Sequence, residues 1–439
     1  MSPRVALVPL YHTDYPYEKG MKFAKLTARK LEDRGIDTLI TDGVSELSKV
    51  ERTLRDVILH QPDVIILFVS TWIEAPRALD LVMSLPRIPI VVWGLRMYYE
   101  EGKRESTGSL PGACVLKASL ESLGYKVKFI VGLPTEEEVI EEVHRYCFIS
   151  SSLRRLRSSK IGLIGYASMG MYTAMFDQVS IRRKFGLDVL HIDSSTIFQE
   201  IAKVEDSRAL EICGLWRNKY FIEEDVDESD LLIAAKIYLA LKKLIEEHDL
   251  DAISVKCQYE FSKELGFVPC VPLSILAEEG VVCSCEGDIP LTITMMLLHY
   301  LTDQPIFYGD IVDIREDRVY LSSCGFAPLS LASSFTMGIG KHKEFFEGLR
   351  SGIVLKRGKV TLARIGYSRG EYEMHVALGE VIDTDLRQGL FPAAEIELHG
   401  DIKLFIEEIK SQHYALAYGD LREYLREICN LLEIRYTIT

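Results

Sequence analysis

At 439 residues the chain exceeds one ordinary hydrophobic core and points to two or three domains. Apolar residues at 48% and charged residues at 26% are ordinary globular values and exclude wholesale disorder. A net charge of −14 argues against a nucleic-acid binder, whose affinity rests on Lys and Arg neutralising phosphates, yet leaves room for a cation site.

The opening "MSPRVALVPLYHTDY" lacks the long apolar stretch of a secretory signal. Nine scattered cysteines, set in apolar strands, suit free thiols in a reducing cytoplasm better than a disulfide framework. From there "RVALVPL" reads as a strand and Tyr17 to Arg34 as a helix, followed by the strand "IDTLIT" and a helix around Val50 to His60. The strand "DVIILFV", the helix "APRALDLVMSL", the strand "IPIVVWGL", a helix from Ala113 to Leu123 and the strand "KVKFIVG" complete the pattern. Continuous apolar strands alternating with helices imply a parallel sheet covered on both faces. A charged helix leads to a restart at "KIGLIGY", and the logic repeats through "GLDVLHID", a helix from Asp230 to Glu246, "LDAISVKC", "LSILAEEG" and "VVCSC". The most apolar run, Ile289 to Leu301, is shorter than the roughly 20 residues of a membrane span.

Beyond Asp303 the texture changes. "QPIFYGDIVDIREDRVYLSSCG" reads as two strands around a turn at Glu316 to Arg318, and "GKVTLARIGYSRGEYEMHVALGEVI" as a second hairpin, before a closing helix at "LREYLREICNLLEI". The expected fold is therefore α/β: two consecutive Rossmann-like parallel-sheet domains, 1–157 and 158–304, followed by a mainly antiparallel β domain, 305–439. No G-x-G-x-x-G, P-loop or H-E-x-x-H is present. "GYSRG" matches the nucleophile-elbow spacing, but the alternation after it marks a hairpin tip. Cys283 and Cys285 share one face of a strand, and without a second clustered pair they read as core cysteines rather than a zinc site.

One pair of residues stands out. Glu286 follows the strand "VVCSC", Asp288 is placed to cap the helix that starts at Ile289, and the next strand carries Asp310. If strand, helix and strand form a parallel unit, Glu286 and Asp310 leave the sheet at one edge, on strands ~4.8 Å apart. Ligands of open α/β sheets bind there. Two charged carboxylates so close are in conflict, which a shared proton or a divalent cation resolves. The following hairpin brings Ser323 and Cys324 opposite Asp310. Taken alone, the same two acids also read as a helix cap and a turn residue.

"CEGDIPLTITMMLLHYLTDQPIFYGD", with "SSCGFAPLSLA" behind it, resembles the core of the L-fucose isomerase and L-arabinose isomerase superfamily, in particular its fucose isomerase-like branch. "GLIGYASMGMYTAMFDQVSIRRKFGLDVLHID" is similar to that family's middle domain. The resemblance implies that Glu286 and Asp310 bind Mn2+, or another divalent cation, and act as the proton-transfer pair, with His413 as third ligand. It implies sugar contacts from Trp72, Gln258, Ser323 and Gln412. Ser323 stands where many relatives have histidine and Gln412 where asparagine is expected, which bears on sugar specificity. The expected protein is a cytoplasmic homo-oligomer, a hexamer or trimer by resemblance, whose first domain covers a neighbouring subunit's site. Its partner would be a small sugar rather than nucleic acid or membrane. The expected reaction is aldose–ketose isomerisation of an L-fucose, D-arabinose or L-arabinose type sugar through a cis-enediol. The alternatives are a sugar-binding or regulatory protein built from two tandem α/β units, and a relative with altered chemistry such as an epimerase.

Overall fold

The computed structural model describes residues 2–167, 170–333, 338–342, 346–384 and 391–439. The chain divides into two compact units, Met1–Arg154 and Arg155–Thr439.

In the first unit, strands β1 (Arg4–Leu10), β2 (Asp37–Ile40), β3 (Val64–Val69) and β4 (Ile90–Gly94) are followed by a small hairpin of β5 (Tyr98–Glu100) and β6 (Lys103–Glu105), then β7 (Val127–Val131). All but the hairpin form one parallel sheet in the order β2-β1-β3-β4-β7. The central strands β3 and β4 are buried along their whole length, as their unbroken apolar sequences require. The hairpin at residues 98–105 has no apolar alternation and was not anticipated.

The second unit contains β8 (Lys160–Ile164), β9 (Asp188–Ile192), β10 (Ala252–Val255) and β11 (Val282–Cys285), all parallel, in the order β11-β10-β8-β9. Helices at Gln178–Phe185, Ser194–Lys203 and Asp206–Lys219 occupy stretches left unassigned from sequence. The chain then continues through β12 (Phe307–Arg315), β13 (Arg318–Ser322), the short pair β14 (Ile339–Lys341) and β15 (Leu349–Ser351), β16 (Gly358–Ser368), β17 (Glu371–Ile382), β18 (Ala393–Leu398), β19 (His413–Tyr418) and β20 (Arg435–Ile438). Strands β16, β19, β12, β13, β18 and β17 are antiparallel neighbours, and β17 pairs back onto β16, which closes a barrel. Closure removes the exposed sheet edges.

Two expectations are corrected. β12 joins the barrel rather than lying parallel beside β11, so the strand, helix, strand unit crosses between sheets. β12 runs through Asp310 to Arg315, as the reading of two strands around Glu316 to Arg318 has it. The chain closes on β20, parallel to β17, after the helix Arg422–Leu432. The hairpin reading of "GYSRG" holds: Ser368 pairs with Glu371 across Arg369 and Gly370, both at positive φ, as a two-residue turn requires.

The helix Ile289–Thr302 joins the two halves of this unit. It packs on β10 and β11 and on β16 and β19, so every face is covered and residues 289–300 are all buried. That burial explains why the helix has no polar stripe, and why its threonines bond locally, Thr292 to the Asp288 carbonyl and Thr294 to the Pro290 carbonyl. Among the described residues no helix is long and apolar enough to cross a membrane.

On β17 of the barrel His375 is fully buried between Tyr414 Oη at 2.6 Å and Thr439 Oγ1 at 2.9 Å. Burial, aided by the charge of Lys410, lowers its pKa to about 4. The unfolded chain therefore protonates this ring first. Its contribution to stability is complete above pH ~6.5 and is lost as pH falls toward ~4, on the order of 3 kcal/mol. The urea midpoint should fall between pH 7.5 and pH 4.5, and less so in His375→Asn, which cannot take up that proton.

Candidate active site

Three elements of the second unit bring the predicted residues together. At the end of β11 the chain turns sharply into the helix through Glu286 (φ 65) and Gly287 (φ 70). A side chain at Gly287 would place its Cβ 2.4 Å from the Tyr166 carbonyl oxygen, so only glycine fits. Glu286 N donates to Val255 O at 2.7 Å, which ties the turn to β10. Asp288 caps the helix by accepting from Leu291 N at 3.1 Å. Asp310 on β12 and His413 on β19 are directly opposite in antiparallel register, so their side chains emerge on one face.

The result is a cluster centred on His413. Its Nε2 lies 3.5 Å from Glu286 Oε2 and 3.4 Å from Asp310 Oδ1, and its Nδ1 lies 2.9 Å from Asp288 Oδ2. Arg364, from β16, donates through Nη1 to the same Asp288 oxygen at 2.9 Å and through Nη2 to Thr173 O at 3.0 Å. Arg364 and Asp288 are fully buried, and His413 is 1% exposed. A third of the Asp310 side chain remains exposed, so the cluster opens to solvent on that side.

The charges sort the carboxylates into two kinds. Burial alone would raise Asp288, but the Arg364 charge and the His413 hydrogen bond outweigh it and bring its pKa down to about 2. Asp288 is therefore ionised and acceptor-only, which makes His413 Nδ1 the donor and points Nε2 at Glu286 and Asp310, as a lone-pair nitrogen when the ring is neutral. Burial raises Glu286 and Asp310; His413 opposes this, and neighbouring carboxylates add to it. His413 itself is raised, because the bond to Asp288 and the surrounding negative charge overcome its desolvation. Two carboxylate oxygens and one oriented imidazole nitrogen make a donor set that fits a divalent cation such as Mn2+. The Arg364–Asp288–His413 chain is the carboxylate support that a ligating histidine normally has.

The remaining sequence candidates are less uniformly placed. Gln258 is buried just past β10. The register sets Ser322 opposite Asp310, with Ser323 next in line; its hydroxyl donates to Phe326 O at 2.5 Å. Gln412 precedes His413, with its amide nitrogen 2.6 Å from Met171 Sδ and its oxygen accepting from Ser411 Oγ at 2.8 Å. Trp72 belongs to the first unit, in the segment after β3, which stops at Val69. Cys257, Cys285 and Glu286 have ligand atoms within 4.8 Å of one another, so Cys285 has a thiol neighbour that the Cys-Ser-Cys spacing did not show. The hydrogen bond between the two thiols raises the pKa of Cys285, with burial adding to it, and lowers that of Cys257, where burial and nearby charge outweigh it, so both remain thiols.

Sequence reasoning missed the roles of Asp288 and Arg364. Asp288 was read only as a cap. The available signal was an arginine inside the apolar strand "GKVTLARIGYS", which has to find a buried anion.

The chain is similar to proteins named as sugar isomerases. Residues 173–303 match the family model of the L-arabinose isomerase central domain. A sulfoquinovose isomerase of Alkalicoccus urumqiensis is 29% identical over 357 residues, 79% of this chain and 80% of that protein. One from Priestia aryabhattai is 28% identical over 362 residues, 79% of each chain. An L-arabinose isomerase of Flavobacterium johnsoniae is 25% identical over 177 residues, 38% of this chain and 34% of that one. The homologues are sugar isomerases, and they support an arabinose isomerase-like family and an isomerase enzyme. They do not support the narrower fucose isomerase-like branch.

Replacing Arg364 with Met leaves the Asp288 carboxylate buried without its cation. Loss of one partner of a buried pair should cost ~3–5 kcal/mol, measured by urea unfolding, whereas an exposed pair such as Arg52–Asp42 should cost under ~1 kcal/mol.

Proposed function

We propose that this chain is a divalent-cation-dependent aldose–ketose isomerase, with Glu286, Asp310 and His413 as cation ligands and the two carboxylates as the proton-transfer pair. The observation that carries the reading is the convergence of Glu286 Oε2 and Asp310 Oδ1 on one imidazole nitrogen whose other nitrogen is fixed by Asp288. A bound cation would supply Lewis-acid polarisation of the sugar carbonyl. The raised pKa values of Glu286 and Asp310 bring them closer to neutrality, where a carboxylate both takes and returns a proton. One of them removes the proton from C2 while the carbonyl oxygen O1 gains one, giving a cis-enediol. Return of a proton to C1, with loss of the O2 hydroxyl proton, gives the ketose. The substrate is a free aldose. L-fucose, D-arabinose and L-arabinose are candidates from the sequence resemblance, and the relatives' names add a hexose sulfonated at C6 to the panel.

Purified protein should form ketose from at least one aldose of that panel only when Mn2+ is supplied. Glu286→Gln should lower kcat by about a hundredfold or more. Undiminished turnover in Glu286→Gln, or turnover in the presence of excess chelator, would contradict the assignment.

Asp288→Asn keeps the shape of the cap but removes the charge that orients His413. Mn2+ affinity, read from the free-ion signal in electron paramagnetic resonance, should drop about 10- to 100-fold. Unchanged affinity would separate Asp288 from the ligand sphere.

A further inference from the structure

The parallel sheet of the second unit ends in a group of thiols that the isomerase reading does not use. Cys285 is the last residue of β11 and is in register with Val255 on β10, and Cys257 stands two residues past that partner. The two thiols are hydrogen-bonded to each other, with Cys257 4% and Cys285 5% exposed. Glu286 follows directly, and one oxygen of its carboxylate and the two sulfurs all lie within 4.8 Å of one another. Tyr308 joins this group to the His413 cluster. Its hydroxyl lies 2.5 Å from Cys285 Sγ, and its ring is edge-on to the His413 ring at 5.4 Å between centroids.

A buried thiol packs as a small apolar group and needs no partner. A buried carboxylate does need one. Glu286 is 7% exposed, its carboxylate makes no hydrogen bond with a described residue, and the basic group it meets is His413 Nε2 at 3.5 Å. It is therefore within reach of an imidazole nitrogen and of two sulfurs, and is satisfied by neither. The group is also open to small solutes. A third of the Asp310 side chain and 9% of the Glu286 side chain reach solvent, so exposure falls in steps from Asp310 through Glu286 to the thiols. Cys324, partly exposed, feels the charges of Glu286, Cys285 and Asp310 and so borders the same opening. Two sulfurs and one carboxylate oxygen suit Zn2+ or Cd2+, which take tetrahedral sets of such ligands and leave a fourth position for water. Mn2+ favours oxygen and nitrogen donors instead. As each metal–sulfur bond forms, the thiol proton passes to solvent.

We propose that Cys257, Cys285 and Glu286 form a second cation site, selective for thiophilic ions such as Zn2+ and Cd2+, which draws Glu286 away from Asp310 and His413 when it fills. Binding at the sulfurs stands apart from the isomerase reading. The competition for Glu286 rests on the Mn2+ site proposed above, since one carboxylate would then serve two ions that differ in the donors they prefer.

The test uses reduced, full-length protein carrying Cys114→Ser, which removes the exposed thiol, with Cd2+ as the probe. Titration should produce a thiolate-to-Cd2+ charge-transfer band in the ultraviolet that saturates at a single equivalent. Adding Cys257→Ser should remove most of this band and lower calorimetric Cd2+ affinity about a hundredfold or more, because losing a ligand costs at least as much as losing a group that supports one. Glu286→Gln should lower the affinity by about tenfold and keep the band, to which an oxygen ligand does not contribute. Absence of the band, or a band that survives Cys257→Ser, overturns the proposal. Should the variants fail to fold, an anomalous difference map of wild-type crystals soaked in Cd2+ decides. A peak within bonding distance of both sulfurs upholds the site, and peaks confined to Asp310 and His413 or to the surface overturn it. In Mn2+-loaded protein, Cd2+ should raise the free-Mn2+ signal in electron paramagnetic resonance more in the Cys114→Ser parent than with Cys257→Ser added. Equal release overturns the shared role of Glu286. A protein that binds no Mn2+ contradicts the function proposed above, and the Cd2+ band then decides the thiol site by itself.

Discussion

The site depends on one buried charge relationship. Asp288 lies in a place where an ionised carboxylate is costly, between the apolar helix Ile289–Thr302 and the barrel wall, and Arg364 is what keeps it ionised. From that pair the rest follows in order. An ionised Asp288 holds His413 through Nδ1, that bond aims Nε2, and Nε2 is the point on which Glu286 and Asp310 converge. The residues come from β11, β12, β16, β19 and the cap of one helix, so the pair also pins the parallel sheet to the barrel. Stability and function are coupled here through the same two side chains.

The polar groups of the site are tolerated because nearly all their partners are internal. Ser284 and Ser254 share a hydrogen bond at 2.8 Å, Ser284 reaches Thr292 at 2.7 Å, and Thr294 accepts from Ile365 N at 3.0 Å. These local bonds satisfy the floor of the site without charge. The groups left with raised pKa values, Glu286 and Asp310, are those that a cation and a polyhydroxy sugar would complete.

Much of this was legible in the sequence, for identifiable reasons. The strands "DVIILFV" and "IPIVVWGL" are buried on both faces and could be read from composition alone. The cap at Asp288 and the hairpin at Arg369 and Gly370 follow from local chemistry, which acts within a few residues. What local chemistry does not encode is which sheet a strand joins. β12 looks like the continuation of a parallel unit, because nothing within it says that its hydrogen bonds go to β13 and β19. The pairing of Glu286 with Asp310 was anticipated through a parallel neighbour that does not exist; it is achieved by the cross-strand pair Asp310 and His413 meeting the turn after β11. Arg364 was overlooked because a lone cation in an apolar strand reveals its partner only in three dimensions.

The most direct test of the central claim is an anomalous difference map from crystals of the full-length protein soaked in Mn2+. The account predicts one strong peak within bonding distance of Glu286, Asp310 and His413 Nε2, with His413 Nδ1 still on Asp288. A peak at Cys257 and Cys285 instead, or none in the second unit, would contradict it.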